Sequence, residues 1–318
     1  MKISVLGCGR WGSFIAWYLA KNNEVTVWAK PDSQIADSFY EKRGNELVRF
    51  DEKTVITRDI EKALDTDTVI ISISSQNLRS FAEELCEYTP ERNRRFILCM
   101  KGLEEKTGKR LTEVFREGYG RDVATAVWIG PGHVQDFVAG IPNCMVIDSE
   151  NDQLKRELCE SFSSPLIRFY YGRDLIGNEV GAASKNVVGI AAGMLDGLGL
   201  SSLKGALMAR GALEISRLIG KMGGDPMSAY GLCHLGDYEA TVFSPHSHNR
   251  AFGEGFVKGE EFPHLAEGVM TCRAMMVLAD KYGEELPICR AVYRTLFEKA
   301  DPLEALNGLF SREMKSEF

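Results

Sequence analysis

Six residues near the start of the chain have the types and spacing of a dinucleotide phosphate site. The segment Gly7-Cys8-Gly9-Arg10-Trp11-Gly12 carries glycines at its first, third and sixth positions. It follows a short apolar run and precedes a helical pattern that begins at Ser13. In this context the first glycine allows a tight turn, the second admits the phosphates and the third lets the helix approach the strand. Because a helix amino terminus stabilises an anion, the segment predicts a bound dinucleotide.

Two lysines stand in surroundings that suit carbonyl chemistry. Lys101 follows a predicted strand, and the carboxyl ends of parallel strands border the ligand crevice of such sheets. Lys185 lies in a helical pattern of small residues, with Gly181 and Gly189 on the same face. A lysine in such apolar surroundings can act as a proton donor or acceptor. The alternatives are a lysine that begins a surface loop and a lysine that snorkels from a core helix.

A third group of polar residues follows in the second half of the chain. It comprises Gly231–Asp237 and, further on, Ser244–Arg250, which includes Ser247-His248-Asn249-Arg250. Hydroxyl, amide and basic groups in a short loop can bind a phosphate, and an acid can hold a lysine in position. A polar surface loop would give the same pattern, so the segment gains meaning only together with the two lysines.

The second predicted strand, residues 24–28, lacks the acid that NAD-preferring sites use. That acid usually ends the strand about 20 residues after the glycines and binds the ribose hydroxyls. Trp28 and Ala29 occupy its position here, and Lys30 follows. A lysine there can pair with the 2′-phosphate of NADP(H) or be a solvated loop residue. The sequence therefore predicts NAD(P)H as the cofactor and leaves the choice between NAD and NADP open.

The distribution of apolar residues predicts an α/β fold with two domains. Strand patterns cover residues 3–6, 24–28, 69–73, 95–100, 125–129, 143–148 and 167–171, and helical patterns cover residues 78–86, 109–115, 174–198, 203–222, 269–281 and 288–297. Strands that alternate with helices are typical of a doubly wound, mostly parallel sheet of the Rossmann type. No strand pattern follows residue 172. We therefore expect a dinucleotide-binding Rossmann domain over residues 1–172 and an all-α substrate and catalytic domain over residues 173–318.

The composition narrows the classes of partner. The 318 residues carry a formal net charge of −7, which argues against non-specific binding to nucleic acid or to an anionic membrane. We find no apolar stretch long enough to cross a bilayer, and a strand that starts near residue 2 leaves no room for a targeting peptide, so we expect a cytoplasmic protein. The eight cysteines form no C-x-x-C pair, and the five histidines show no metal spacing with them. We expect free thiols and no metal site.

Taken in order, these motifs resemble the bacterial-type NAD(P)-dependent sn-glycerol-3-phosphate dehydrogenase family almost from end to end. The matching residues are Trp11 in the glycine loop, Ser75-Gln76, Lys101-Gly102, Gly130-Pro131, Glu179, Lys185-Asn186, Leu235-Gly236-Asp237, Ser247 with Asn249-Arg250, and Ala266-Glu267-Gly268-Val269. The resemblance implies NAD(P)H-dependent reduction of dihydroxyacetone phosphate to sn-glycerol 3-phosphate, which feeds phospholipid synthesis. The partner is then a small phosphorylated ketone, and a homodimer is one assembly to consider.

The resemblance also implies roles for individual residues. Lys185 matches the family's proton donor and acceptor, Lys101 and Asp237 match its substrate-contacting partners, and Glu267 matches a residue near the nicotinamide. The implied cofactor-binding residues are Gly7, Gly9, Arg10, Trp11, Gly12, Lys30, Lys101 and Glu267, and the implied substrate-binding residues are Lys101, Gly130, Gly132, Lys185, Asp237, Ser247, His248 and Asn249. The chemistry agrees, because an ammonium group can stabilise a developing carbonyl oxyanion and protonate it.

Three positions depart from the family pattern. Gly132 stands where serine usually follows Gly-Pro, His248 stands where arginine is usual, and Ser74 replaces the proline before Ser-Gln. A histidine cannot make the bidentate bonds of an arginine to a phosphate, and Arg250 is a candidate substitute. This pattern also fits a related dehydrogenase that acts on another ketone or on a 3-hydroxyacid. A non-catalytic nucleotide-binding sensor is the alternative from another class.

Overall fold

The chain forms two compact units in a computed structural model that describes residues 1–31, 36–88 and 94–310. The first unit consists of Met1–Lys101 and Arg110–Leu175, and the second consists of Gly102–Lys109 and the residues from Ile176 onward. The short segment Gly102–Lys109 therefore belongs to the helical unit, although it lies between two strands in the sequence. The boundary that we predicted between residues 172 and 173 stays a prediction.

The first unit is built on one eight-stranded sheet. Its strands are β1 (Lys2–Leu6), β2 (Glu24–Trp28), β3 (Val55–Thr57), β4 (Thr68–Ile71), β5 (Arg95–Leu98), β6 (Ala124–Ile129), β7 (Asn143–Asp148) and β8 (Ile167–Tyr171). They lie in the order β3-β2-β1-β4-β5-β6-β7-β8, and every neighbouring pair is parallel except β6 and β7. The strand order reverses between β1 and β4, which places a ligand crevice at their carboxyl ends. The predicted Rossmann-type sheet is confirmed.

The helices of the first unit cover this sheet. They are α1 (Arg10–Leu19), α2 (Ala36–Lys42), α3 (Ile60–Ala63), α4 (Leu78–Tyr88), α5 (Leu111–Tyr119), α6 (Val134–Val138) and α7 (Asp152–Phe162). Because both faces of the central strands are covered, β4 is buried along its whole length, as its apolar sequence predicts. The strand that sequence analysis missed is β3, which has only three residues and an exposed first residue.

The second unit is helical. Its helices are α8 (Leu175–Gly197), α9 (Lys204–Lys221), α10 (His248–Lys258), α11 (Glu267–Tyr282), α12 (Pro287–Phe297) and α13 (Pro302–Phe310). The connection from α9 to α10 is long and contains the short helical segments Pro226–Tyr230, Leu235–Asp237 and Glu239–Phe243. The structure describes no strand between residues 172 and 310. Pro287 begins α12, where a missing N–H costs nothing. Across the described residues, none of the helices combines the length and the apolar character that a membrane crossing needs.

Helix α8 packs backbone to backbone against α10. A Cβ atom on Gly193 would lie 1.9 Å from the carbonyl oxygen of Arg250, and one on Gly253 would lie 2.1 Å from that of Ile190. No side chain can occupy these positions without separating the two helices. The sequence left open whether the small residues after Gly189 pack inside the domain or against another subunit. The structure shows that Gly193 packs within its own unit.

Substitution of Gly193 by alanine should lower the free energy of unfolding by about 1–3 kcal/mol, because the added methyl group overpacks the contact with α10. Gly205 on α9 provides the control, since it is exposed and no atom lies within 4 Å of its Cβ position. Gly205→Ala should raise the free energy of unfolding by up to ~1 kcal/mol, because alanine loses less backbone entropy in a helix. Denaturant titration measures both changes. Equal effects of the two substitutions would contradict the close approach of α8 and α10.

Candidate active site

The glycine loop connects β1 to α1, and its three glycines have different environments. Gly7 has a φ of +119°, a conformation that favours glycine, and a Cβ atom there would lie 2.2 Å from the oxygen of Ser72. A Cβ atom on Gly12 would lie 2.2 Å from the oxygen of Gly7. At Gly9, by contrast, no described atom lies within 4 Å of the Cβ position. Two of the glycines are therefore needed for packing, and Gly9 keeps the space in front of the loop open.

The amino terminus of α1 points into this loop without a compensating negative charge. Gly9 caps the helix with no side-chain hydrogen bond, and the first turn contains no acidic residue. The indole Nε1 of Trp11 is buried and makes no hydrogen bond within the described part of the chain. Backbone N–H groups at a helix amino terminus bind phosphate well. The loop fits a dinucleotide pyrophosphate, and Gly7, Gly9, Arg10, Trp11 and Gly12 are the residues that would hold it.

A cavity of about 560 Å³ lies beside the glycine loop in the first unit. Gly9 and Arg10 border it on one side, and α2 with the turn after it contributes Lys42, Glu46 and Arg49. Because α2 and this turn connect β2 to β3, the cavity lies on the side where Rossmann domains hold the adenosine half of a dinucleotide. Among the described lining residues, three cations stand against one carboxylate. The cavity therefore suits an anionic ligand.

Lys30, which we predicted as a cofactor residue, is exposed just past the end of β2. It is not among the residues that line the cavity. Its position at the carboxyl end of β2 is the one where Rossmann domains distinguish the two nucleotides. Lys30 therefore places a positive charge at the carboxyl end of β2. Its role in cofactor binding stays a prediction.

Lys101 and Gly130 meet at the carboxyl ends of β5 and β6. The ammonium group of Lys101 donates a hydrogen bond of 2.6 Å to the carbonyl oxygen of Gly130. Lys101 is half-buried, and this hydrogen bond fixes the position of its ammonium group. The structure therefore brings together two residues that the family resemblance placed in the substrate site.

The departure at Gly132 has a packing cause. Gly132 has a φ of +130°, and a Cβ atom there would lie 2.5 Å from the ring of Phe137. That ring stacks on Phe14 at 4.9 Å between centroids and lies 6.2 Å from Trp11. A serine would clash with this aromatic cluster, so glycine replaces the usual serine because α6 packs closely on α1.

The second unit contains a buried ion pair between Lys185 and Asp237. The Lys185 Nζ atom lies 2.6 Å from Asp237 Oδ2, and the two side chains are 7% and 1% exposed. The same ammonium group donates a 2.8 Å hydrogen bond to Thr241 Oγ1. Lys185 comes from α8, and Asp237 comes from the short turn Leu235–Asp237. Because an unpaired charge is costly in such surroundings, each member of the pair holds the other in place.

Sequence analysis gave no individual role to three residues around this pair: Thr241, Tyr238 and His234, which lies in the segment Gly231–Asp237. His234 is fully buried, and its Nδ1 atom lies 2.9 Å from the carbonyl oxygen of Gly181. Its Nε2 atom lies 2.6 Å from the hydroxyl of Tyr238. Burial lowers the pKa of His234 to about 4, so its imidazole is neutral at physiological pH. The available signal was spacing, since all three lie within four residues of Asp237 in the sequence.

The amino termini of α10 and α11 contain the remaining predicted residues of the second unit. Ser247 caps α10 through a 3.3 Å bond from the Arg250 N–H to its Oγ atom. The side-chain oxygen of Asn249 accepts a 2.9 Å bond from the Gly268 N–H, beside Glu267 at the start of α11. The first turn of α10 has no acidic residue. Ser247, Asn249 and Glu267 are thus brought close together, and the amino terminus of α10 can receive an anion.

His248 occupies the position at which the family usually has arginine. Its ring stacks on His264 at 5.1 Å between centroids and meets the edge of Phe262 at 6.1 Å. The side chain is half-buried at the start of α10. An aromatic cluster therefore replaces the guanidinium that the family pattern leads one to expect here.

Arg250, the candidate substitute for that arginine, is held by acidic side chains. Its Nη1 atom lies 2.8 Å from Asp196 Oδ2 and 2.9 Å from Glu254 Oε2, and its Nε atom donates to the oxygen of Ser244. Burial raises the pKa of Asp196, but hydrogen bonds from Lys204 and other neighbours outweigh it and hold that pKa below its usual value. Two carboxylates compensate the guanidinium charge, so Arg250 connects α8 to α10.

The cysteines and acidic groups form no metal site where the chain is described. We find no cluster of three or more metal-binding side chains between residues 1 and 310, outside the two undescribed gaps. All eight cysteines are free thiols, and burial raises the pKa of Cys272 to about 12. The buried thiol of Cys272 is therefore uncharged at physiological pH and packs as a small apolar group.

Comparisons with known proteins agree with this geometry. Models of the N-terminal and C-terminal parts of NAD-dependent glycerol-3-phosphate dehydrogenase match residues 2–155 and 174–307. The glycerol-3-phosphate dehydrogenase (NAD(P)+) of Prosthecochloris aestuarii is 36% identical over 100% of both chains. That of Clostridium botulinum (strain Eklund 17B) is 35% identical over 99% of both chains.

A solved structure extends the match to the fold. The 2.1 Å crystal structure of glycerol-3-phosphate dehydrogenase from Coxiella burnetii has a TM-score of 0.91 to this chain at 29% identity, covering 98% of this chain and 99% of its own. Both halves of the chain and its complete length are matched. The chain therefore belongs to the NAD-dependent glycerol-3-phosphate dehydrogenase family, as its motifs predict.

Proposed function

We propose that this chain reduces dihydroxyacetone phosphate to sn-glycerol 3-phosphate with NAD(P)H and also catalyses the reverse reaction. The observation that carries the proposal is the buried ion pair of Lys185 and Asp237, at 2.6 Å. A fully buried ammonium group with a fixed carboxylate partner is what a carbonyl reductase needs as a proton donor. Membership of the glycerol-3-phosphate dehydrogenase family supports the identity of the substrate.

The roles of the residues follow from the charge that develops during the reaction. NAD(P)H, when bound, supplies the hydride, and the carbonyl oxygen of the ketone becomes negative as it accepts electrons. The ammonium of Lys185 stabilises this oxygen and donates a proton to it from Nζ. Asp237 keeps the ammonium charged in its buried surroundings. The hydroxyl oxygen of Thr241 accepts a hydrogen bond from the same ammonium group and so fixes the direction of a second N–H of Lys185.

The substrate phosphate requires hydrogen-bond donors near this lysine. We assign it to the amino terminus of α10, which carries backbone N–H groups, Ser247, His248 and the side-chain NH₂ of Asn249. Lys101, Gly130 and Gly132 are further substrate-binding groups from the first unit, as the family resemblance implies. Glu267 contributes to the cofactor site. The absence of the family's arginine at His248 predicts weaker phosphate binding than in relatives that have it.

The wider setting follows from composition and family. We propose a cytoplasmic enzyme with a small phosphorylated ketone as its partner and with no nucleic-acid or membrane partner, in keeping with the net charge of −7. A homodimer stays a hypothesis, which light scattering on the purified protein would test.

A substrate panel tests the function directly. Oxidation of NADH and NADPH should be rapid with dihydroxyacetone phosphate and much slower with dihydroxyacetone, which lacks the phosphate, and with 3-oxoacids. Preference for a 3-oxoacid would favour the related dehydrogenase that the sequence left as an alternative. Cofactor binding without turnover of any ketone would favour the non-catalytic sensor, and either result contradicts the proposal.

Substitution of Lys185 by arginine should separate chemistry from binding. Arginine keeps a positive charge opposite Asp237 but does not give up a proton. We expect kcat with dihydroxyacetone phosphate to fall about 10²–10⁴-fold, while the Kd for NADPH stays nearly unchanged. Lys221→Arg, at the exposed end of α9, is the control and should leave both unchanged. Loss of cofactor binding in Lys185→Arg would count against the assigned role.

The glycine loop offers a matched pair of substitutions. Gly9→Ala fills the open space before α1, so we expect a stable protein whose Kd for NAD(P)H rises roughly tenfold or more, the equivalent of about 1.4 kcal/mol. Gly12→Ala forces a methyl group against the oxygen of Gly7, so it should lower the free energy of unfolding. Nucleotide fluorescence titration and denaturation measure the two effects. A Gly9→Ala protein as unstable as Gly12→Ala would show that the space is not a cofactor site.

The cations of the cavity favour NADP(H) in our proposal. Arg49 is exposed at the cavity edge, where an added 2′-phosphate can pair with it. Arg49→Ser should therefore raise the Kd for NADPH by about fivefold, the equivalent of ~1 kcal/mol, and leave that for NADH nearly unchanged. Lys53→Ser, an exposed position outside the cavity, is the control. Equal weakening of both nucleotides would overturn this preference.

A further inference from the structure

His234 and Tyr238 connect two helices across the turn that carries Asp237. Both side chains are fully buried. The imidazole Nδ1 atom of His234 lies 2.9 Å from the oxygen of Gly181 and 3.3 Å from Ser184 Oγ, both on α8. Its Nε2 atom lies 2.6 Å from the hydroxyl of Tyr238. All of these contacts lie within the second unit, on the same turn of α8 that leads to the catalytic lysine.

The partners fix the protonation state of the imidazole. A carbonyl oxygen can only accept a hydrogen bond, and the imidazole of His234 faces two of them, those of Gly181 and Gly211. We assign the proton of the neutral ring to Nδ1, which lies 2.9 Å from the oxygen of Gly181. Nε2 is then an acceptor, and the hydroxyl of Tyr238 donates to it. A second proton on the ring would abolish the bond from Tyr238. The neutral imidazole is consistent with its full burial, which lowers the pKa of His234 to about 4.

Two glycines allow the pair to reach the helices. A Cβ atom on Gly181 would lie 3.0 Å from Cβ of His234, and one on Gly211 of α9 would lie 3.0 Å from the hydroxyl oxygen of Tyr238. Each aromatic side chain therefore packs on helix backbone at a position without a side chain. Packing of this kind leaves the rings little freedom to rotate.

We propose that His234 and Tyr238 are positioning residues that hold Asp237 against Lys185. The proposal rests on the proposed function, in which Lys185 donates the proton. Asp237 lies between the two residues in the chain, and its carboxylate is 2.6 Å from the Nζ atom of Lys185. Contacts that fix the turn therefore also fix the position of this carboxylate. Neither His234 nor Tyr238 acts on the substrate. Their effect passes through the carboxylate that keeps the ammonium charged and oriented.

The charges around the pair explain why a neutral bridge is required. Lys185 on α8 and Asp237 on the turn are the charged groups that act on His234. Glu214 on α9 and Cys289 on α12 act on Tyr238. Burial raises the pKa of Glu214 to about 7 and raises that of Cys289 well above its usual value. A charged imidazolium would add an uncompensated cation beside Lys185. A neutral ring can hold the turn in place without changing the local charge.

Substitution of Tyr238 by phenylalanine tests this role, because it removes the hydroxyl and keeps the ring. We expect kcat with dihydroxyacetone phosphate to fall roughly tenfold, with little change in the KM for NADPH. The alkaline limb of the pH profile of kcat should also move to lower pH, because an ammonium with a looser carboxylate partner loses its proton more readily. A residue with a merely structural role would not move that limb.

A matched substitution in the first unit controls for lost stability. Tyr18 is a buried tyrosine whose hydroxyl donates to the carbonyl oxygen of Phe162 and bonds Ser164 Oγ at 2.8 Å. Tyr18→Phe should cost a similar amount of stability and leave the alkaline limb in place. His234→Asn, which keeps an N–H donor near Nδ1, should retain more activity than His234→Leu. If Tyr238→Phe affects kcat and its pH profile no more than Tyr18→Phe does, the positioning role is overturned.

Nitrogen NMR of the histidine ring gives a readout that does not depend on activity. In ¹⁵N-labelled protein, His234 should be a neutral ring protonated at Nδ1 throughout the range from about pH 5 to pH 8. A ring protonated at Nε2, or one that gains a proton near pH 6.5, would overturn the proposal. Failure of the wild-type protein to reduce dihydroxyacetone phosphate is a separate outcome, which refutes the proposed function and the positioning role with it.

Discussion

The buried ion pair of Lys185 and Asp237 is the constraint on which the second unit depends. Removal of one partner of such a pair typically costs about 3–5 kcal/mol, because the other charge is left without compensation. The two residues come from different elements, a long helix and a short turn. The surrounding structure must therefore fix the turn against the helix. The glycines of α8 allow this, since they let α10 and the ring of His234 approach the helix backbone.

The first unit meets a different requirement, which is to bind a large anion without a buried cation. Its solution is the amino terminus of α1 behind a glycine loop, with Gly9 keeping the approach open. The cations of the adjacent cavity are at its edge, where they can pair with a phosphate at little desolvation cost. In the proposed function the first unit holds the hydride donor and the second holds the proton donor. The first then relies on a helix dipole and the second on a buried ion pair.

Most of the fold was predictable because its elements are long or apolar. The buried strands of a parallel sheet appear in sequence as apolar runs, and α8 appears as a long pattern of small residues. The strand β3 was not predicted, because a strand of three residues at a sheet edge is too short to show an alternating pattern of apolar residues. The close approach of Phe137 to Gly132 also left no signal, since it depends on how α6 packs on α1.

The site itself was predictable only in part. The family resemblance named Lys185 and Asp237 together, although nothing in their spacing shows that they touch. Thr241, His234 and Tyr238 were given no role because no motif connects them, and the partners of Thr241 and His234 lie on α8, far away in the sequence. Tyr238 contacts His234 and the backbone of Gly211 on α9. The ion pairs of Arg250 with Asp196 and Glu254 were not predictable for a similar reason, since these carboxylates meet it only in the folded chain.

The central claim is that Lys185 and Asp237 act as one catalytic unit, and a double-mutant cycle tests it most directly. The measurement is kcat with dihydroxyacetone phosphate and NADPH for the wild type, Lys185→Met, Asp237→Asn and the double variant. If the carboxylate acts only through the ammonium, the double variant should be no slower than Lys185→Met alone, within about twofold. Multiplication of the two single losses in the double variant would show that Asp237 acts independently and would contradict this account.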